Sequence, residues 1–352
     1  MVNEQQTMNL TVEIPEIFTE STESLRLTTA AFGVLIYVAG FIGNFLSLIL
    51  FLQKELRQVS TGLIFLLLNI FCTIHLLSLV IEFFDSIFQV RILLNDVFRC
   101  QFLLWSQNAT RTMCSFLATT VSIDRFLRSE YPMRSRVWCT TKNVLKLFYI
   151  YLLFSALLYA FFFHPRNVFD NSGQCSFPFD DVFRLIALNI MPPLRFILIC
   201  VLPITLMTGC GARMLMNIQR TKRRIAQQRA PHIVVAIANT VLSQMSSNTM
   251  DDHQRQTAVI DHMLLLMVLA NVVAYTVTQL PFNIYTLYYG FGTSADFQLY
   301  SLMRVLLLIW SSIYFGIGFY LFCLTSSPFR KRFITKIQQL RHCDRQPRAV
   351  GR

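Results

Sequence analysis

The sequence predicts an all-α membrane protein, a seven-transmembrane helix bundle followed by a short amphipathic eighth helix. Three observations carry that prediction. Hydrophobic residues make up 54% of the 352 positions and charged residues only 14%, too few to coat a soluble domain. Seven stretches, roughly 28–53, 61–86, 98–124, 143–164, 189–214, 258–289 and 298–324, reach the length of about 20 apolar residues that a lipid core demands. Lysine and arginine crowd alternate linkers: Lys54 and Arg57, then Arg125, Arg128, Arg134 and Arg136, then Arg220, Lys222, Arg223 and Arg224, then Arg330, Lys331 and Arg332. The other linkers carry Asp85, Asp96, Asp170, Asp180, Asp181 and Asp296. Basic residues stay on the cytoplasmic side, so the N-terminus is expected outside and the C-terminus inside. The net charge of +12 is thereby explained by topology, and a nucleic-acid partner is not expected.

Residues 1–27 read as an extracellular disordered tail, 28–325 as the bundle, and 326–352 as an amphipathic helix with a cytoplasmic tail. The tail is polar and acidic, with Glu4, Glu13, Glu16, Glu20 and Glu23. It lacks the basic-then-apolar order of a secretory signal, so the first span is expected to direct insertion. Asn9-Leu10-Thr11 is a glycosylation sequon on the outer side.

In span one, Gly43-Asn44 reads as a close-packing glycine beside an interhelical anchor. Span two holds His75 and, two turns on along the same face, Glu82. His75 is either a hydrogen-bonded interior residue or a pH- or ligand-sensitive group, and Glu82 requires a partner because an unpaired buried carboxylate is costly. Span three starts at Cys100, and Gln107 and Arg111 lie one turn apart on one stripe. Arg111 is about three turns deep, too far to snorkel outward; it needs water, a ligand, or an acid such as Glu82. This span ends at Asp124-Arg125-Phe126.

Cys175, in the outer loop after span four, is the other cysteine expected on the side of Cys100, and an oxidising compartment would pair them. Cys72, Cys114, Cys200, Cys210 and Cys323 read as packing residues. Span five carries Arg195 near its outer mouth and Pro203 near its middle. A third inner loop near 40 residues follows, either disordered or a partner-docking helix. Span six has Asp261 at its inner end, then Gln279, Pro281, Asn283 and Tyr285 toward its outer end. A mid-span proline removes a backbone hydrogen bond and bends the helix. Span seven holds Arg304 and Trp310. Phe329, Phe333, Ile337 and Leu340 then recur at helical spacing among basic residues, which suits a helix lying on the inner membrane face, and Cys343 beyond it is a palmitoylation candidate. The nine cysteines form no CxxC pair, and no metal set or nucleophile–base pair stands out. Neither an enzyme nor a cofactor is expected.

Taken together, these residues resemble the rhodopsin-like (class A) G-protein-coupled receptors over about 28–341. Gly43-Asn44 matches the first-helix pair. Cys100 precedes Arg125 by the family's usual spacing, Asp124-Arg125-Phe126 varies Asp-Arg-Tyr, and Pro132 fits the second inner loop. Pro203 and Pro281 match the fifth- and sixth-helix prolines, Asp261 the inner sixth-helix acid, and Phe329 the start of the eighth helix. Gly318-Phe319-Tyr320-Leu321-Phe322-Cys323-Leu324 is similar to a pattern of invertebrate FMRFamide-type neuropeptide receptors. The resemblance implies a heterotrimeric G-protein partner, an extracellular peptide or small-molecule ligand, and a membrane-lipid environment. It implies a switch in which Arg125 pairs with Asp124, and with Asp261, at rest. It implies a ligand site drawn from Glu82, Gln107, Arg111, Arg195, Gln279, Asn283, Tyr285 and Arg304. Gln107 stands where amine receptors carry an aspartate, which argues against a biogenic amine. The sequence also departs from the family. His75 or Ile74 replaces the sodium-binding aspartate, Gly211 the fifth-helix tyrosine, Gln279 the sixth-helix tryptophan, and Gly318 opens the segment that replaces Asn-Pro-x-x-Tyr. A chemosensory or lipid receptor, a constitutive orphan and a seven-span channel are the alternatives.

Overall fold

A helix too polar to stand out as a membrane span by composition occupies the centre of the bundle. The computed structural model describes the backbone of residues 16–88, 90, 96–164, 168–169, 175–176, 185–236, 244–291, 297–325, 330, 333–335 and 338, and side chains over somewhat fewer. Its long helices are α1 (Glu16–Phe51), α2 (Ser60–Phe88), α3 (Leu104–Glu130), α4 (Thr141–Leu158), α5 (Leu202–Ala236), α6 (Gln244–Phe291) and α7 (Phe297–Thr325). Helical turns at Arg99–Leu103 lead into α3, and others from Leu185 lead into α5. A short hairpin, β1 (Val168–Phe169) with β2 (Cys175–Ser176), pairs antiparallel in the outer loop after α4.

Each of these helices except α3 is long and apolar enough to cross a membrane. Helix α3 packs against α2, α4, α5 and α6 and buries Gln107–Ser115, Leu117–Ser122 and Asp124. Such a helix survives in lipid because its hydroxyls find acceptors at home. Thr110, Thr112, Ser115, Thr119 and Thr120 each donate to the carbonyl four residues back, a bond that needs no second helix. Helix α4 is the opposite case: little of it is buried, and Leu153, Phe154 and Leu157 point outward.

Helices α1 and α7 touch at glycines, since a Cβ on Gly316 would stand 2.5 Å from the Gly40 Cα. The same contact lets the Asn44 side chain donate to the Phe315 carbonyl at 3.1 Å, while Asn69 donates to the Asn44 carbonyl at 2.8 Å. The anchoring role expected of Asn44 is thus realised. Two mid-helix prolines, Pro203 and Pro281, are also accommodated. Pro203 cannot donate to Ile199, four residues back, and that carbonyl takes the Tyr275 hydroxyl of α6 instead. Pro281 likewise frees Val277, whose carbonyl accepts from the Trp310 indole of α7 at 2.9 Å. Both of these freed carbonyls are capped by an aromatic donor from the next helix.

Several expected boundaries shift. Helix α1 begins at Glu16, so the expected disordered tail is helical from 16 to 27; those residues hold no glycine or proline to stop it. The expected long third inner loop is largely absent, because α5 runs to Ala236 and α6 starts at Gln244. That stretch holds good helix formers beyond the lipid-facing part. Of the expected eighth helix, Arg330, 333–335 and Gln338 are described and helical. Phe333 packs on Phe319, and Arg330 donates to the Cys323 carbonyl at 2.8 Å.

Candidate functional site

Two polar clusters lie at opposite ends of α3. The outer one is built by α2, α3, α6, α7 and the helical turns that lead into α5. Glu82 of α2 does meet a partner, but it is Arg304 of α7 at 2.9 Å, with Gln107 of α3 on its other oxygen at 2.8 Å. Glu82 therefore does not neutralise Arg111, as the sequence reading allowed. Length and register explain the substitution: Arg304 reaches across from α7 at the level of Gln107, one turn above Arg111.

Arg111 is 3% exposed. Its Nε donates to the His75 Nε2 at 3.5 Å, one terminal nitrogen donates to the Ser311 hydroxyl at 3.3 Å, and the guanidinium lies over the Phe282 ring at 4.4 Å. These partners are all neutral. Thr110 spends its only hydrogen on the Ser106 carbonyl and so must accept from His75 Nδ1, 2.9 Å away. The network therefore assigns His75 the neutral Nδ1–H form, with Nε2 free to accept from Arg111. His75 is an interior hydrogen-bonding residue that orients an arginine.

Arg195 donates to the Asn108 side-chain oxygen at 2.9 Å, and its guanidinium stands 5.8 Å from the same Phe282 ring. Among the described residues neither Arg111 nor Arg195 has a carboxylate within 4.0 Å. Charged groups at membrane depth cost about 2.5–3.5 kcal/mol even on lenient scales, so two unneutralised guanidiniums around one ring are an expensive arrangement. Gln279 and Asn283 are fully buried on α6. Gln279 donates to the Ser311 carbonyl at 2.8 Å and Asn283 to the Gln279 carbonyl at 2.8 Å, but each side-chain oxygen lacks a donor. Tyr285 lies half-buried one turn further out. Asn108 belongs to this cluster, and so do Phe282 and Ser311, which the sequence does not mark, since a phenylalanine among 32 or a serine carries no signal.

At the inner end, Asp124 is 4% exposed and saturated. It accepts from Ser60 at 3.1 Å, from Thr61, and from Arg128 at 3.0 Å. Arg128 also donates to Ser60 at 2.6 Å. The expected Asp124–Arg125 pair is not formed: neighbours in a helix point about 100° apart, whereas Arg128 shares the face of Asp124. That i,i+4 spacing was the signal the sequence offered for Arg128. Arg125 has instead the Met267 sulfur at 4.0 Å and the Phe65 ring at 5.9 Å, and its Nε is buried without an acceptor. Phe126 packs into the Met214–Leu265–Val268 cluster between α5 and α6. Beside Asp124, in the inner linker, burial and that carboxylate push the Cys139 thiol up to about 11.

Between the clusters lies a small cavity of about 40 Å³, lined by Asn44, Asn69, Cys72, Asn271 and Tyr314 among others and by no carboxylate. The Cys72 and Cys114 sulfurs stand 3.6 Å apart at its edge. Among the described residues no metal-ligating group forms. Cys100 is disulfide-bonded. The side chains of Cys175 and Asp261, and Asn9 and Cys343 altogether, lie outside the described residues.

A family model for the seven-transmembrane receptors of the rhodopsin family matches residues 43–315. The chain is also 30% identical over 160 residues to the FMRFamide peptide receptor frpr-18 of Caenorhabditis elegans. That alignment covers 43% of this chain and 36% of the relative, so the chain spans about a third of the relative's length. The matched family is one of receptors rather than enzymes, and it agrees with a multi-pass bundle whose central helix carries a polar cluster at each end. The chain belongs to the rhodopsin family of seven-transmembrane receptors.

Proposed function

We propose that this chain is a plasma-membrane receptor, N-terminus outside, that transmits binding of a short extracellular neuropeptide to an intracellular heterotrimeric G protein. The observation that carries the reading is the family match together with a relative named as an FMRFamide peptide receptor. The outer cluster around Arg111 is the ligand site and the inner cluster around Arg125 meets the G protein. The two are linked by population shift: a ligand that binds better when the inner end of α6 has swung outward favours that packing. Disulfide Cys100–Cys175, glycosylation at Asn9 and palmitoylation at Cys343 complete the proposal.

A peptide-library screen on cells expressing the chain with a promiscuous G protein tests it. The expected result is a concentration-dependent response that Arg111→Ala abolishes while surface expression persists. A library without a single active peptide would sink the peptide assignment. One observation also favours a raised ligand-independent activity: among the described residues Arg125 has no carboxylate within 4.0 Å to hold it at rest.

A further inference from the structure

We propose that the outer cluster is an anion anchor, in which Arg111 and Arg195, converging on the Phe282 ring, hold a carboxylate of the extracellular ligand. The inference rests on the ligand site being the outer cluster, and it names the chemistry that site selects. Three arginines face one glutamate there, and that glutamate is already taken by Arg304 and Gln107. Among the described residues, Arg111 has His75, Ser311 and the Phe282 face for company, and Arg195 has Asn108 and the same ring. His75 adds no negative charge, and held as an acceptor it turns the Arg111 fork toward Phe282. An aromatic face stabilises a guanidinium without using its in-plane N–H groups. Most of those N–H groups therefore remain available, and a planar fork of donors is matched by a carboxylate. A cationic ligand group would instead find two positive charges and, among the described residues, no free acid.

A second feature narrows the ligand. The side-chain oxygens of Gln279 and Asn283 are buried and lack donors, and they lie on α6 within one turn of Phe282. A ligand that carries N–H groups close to its carboxylate, as a peptide does, serves the arginines and these oxygens together. A simple fatty acid serves only the arginines.

The test uses the full-length chain in cells, read by G-protein activation, and the same chain purified in nanodiscs, read by thermal stability. The probes are the tetrapeptide Phe-Met-Arg-Phe as free acid and as amide, an Asp-containing peptide with its Asn counterpart, and dodecanoate. The carboxylate form of each peptide pair should be about 30-fold more potent than its amide counterpart. Arg195→Gln should shrink that ratio to about 3-fold or less, since Arg195 is half-buried and its removal leaves α5 intact. Arg195→Glu should reverse the preference toward a peptide with a basic group in that place. Arg111→Lys, which keeps charge and loses the fork, should fall between wild type and Arg111→Gln.

Silent peptides with an Arg111- and Arg195-dependent response to dodecanoate would overturn the peptide reading and leave the anchor standing. Amides as potent as their acids on the wild-type chain would overturn the anchor and leave the peptide reading standing. Absence of any response or stabilisation with every carboxylate probe would also overturn the anchor.

Discussion

The two ends of α3 solve opposite problems. At the outer end, cations lack anions among the described residues: Arg111 and Arg195 rest on a ring and on neutral polar groups drawn from α2, α6, α7 and α3 itself. At the inner end, the anion is the saturated group: Asp124 holds Ser60, Thr61 and Arg128 and so clamps α3 to α2 alone. An unfilled cluster spread over many helices is suited to reporting a ligand, because filling it changes how those helices pack. A filled clamp between two helices is suited to staying put while others move. Arg125, beside the clamp but outside it, faces α6 with a buried Nε that lacks an acceptor.

The largest effect is expected at Arg111. Arg111→Ala removes a charged group with no carboxylate partner and should cost ligand response about 100-fold, in keeping with loss of a buried charge-assisted contact, while surface expression persists. Equal potency of mutant and wild type in a dose–response assay would show that the outer end does not receive the ligand. Asp124→Asn comes next. It weakens the clamp by exchanging a charge-assisted set of bonds, at about 1.5–3 kcal/mol each, for neutral ones, and should raise ligand-independent signalling several-fold. The Ser60→Ala/Thr61→Ala double mutant should do the same, and basal signalling at the wild-type level in both would remove the clamp from the mechanism. Asp261→Ala gives a smaller rise if that side chain restrains Arg125; a flat basal signal in a surface-expressed mutant would end its place in the switch.

The aromatic caps sharpen the contrast between fixed and moving parts. Trp310→Phe leaves the Val277 carbonyl without its donor, which should cost about 1–3 kcal/mol of stability and lower the melting temperature of the purified receptor. The smallest effect is chemical. The thiolate is the form that reacts with alkylating agents, and the Cys139 thiol is pushed up to about 11 by burial and by Asp124. Its alkylation should therefore stay slow at pH 8 and accelerate only toward pH 11, and Asp124→Asn should speed it at pH 8. Fast labelling of Cys139 in the wild-type chain at pH 8 would contradict the placement of Asp124 beside it.

Most of the fold was legible because lipid imposes simple rules. Length and apolarity mark every span except the more polar α3, and the basic linkers carry the expectation of their direction. The outer residues were legible as a set, since Glu82, Gln107, Arg111, Arg195 and Arg304 are polar where lipid forbids it. Their pairing was not. Glu82 had several cations within chain reach, and only the approach of α7 to α2 awards it to Arg304 rather than Arg111. Asp124 was read with its neighbour Arg125, although helix geometry already favoured Arg128. The partners Ser60 and Thr61 lie more than 60 residues away and carry no mark of their own.

Residue order alone was enough for the multi-pass helical bundle, the family, and the residues that could not face lipid. These follow from one-dimensional properties: hydropathy, charge and spacing along a single helix. Which group satisfies which depends on the packing of the helices. That packing placed Trp310 on the carbonyl freed by Pro281 and Tyr275 on the one freed by Pro203, gave Glu82 to Arg304, and left Arg111 and Arg195 to share Phe282. A hydrogen bond or ion pair between helices depends on their rotation and depth to within about an ångström. That precision comes from packing, as where Gly40 meets Gly316, and not from the order of residues along any one helix.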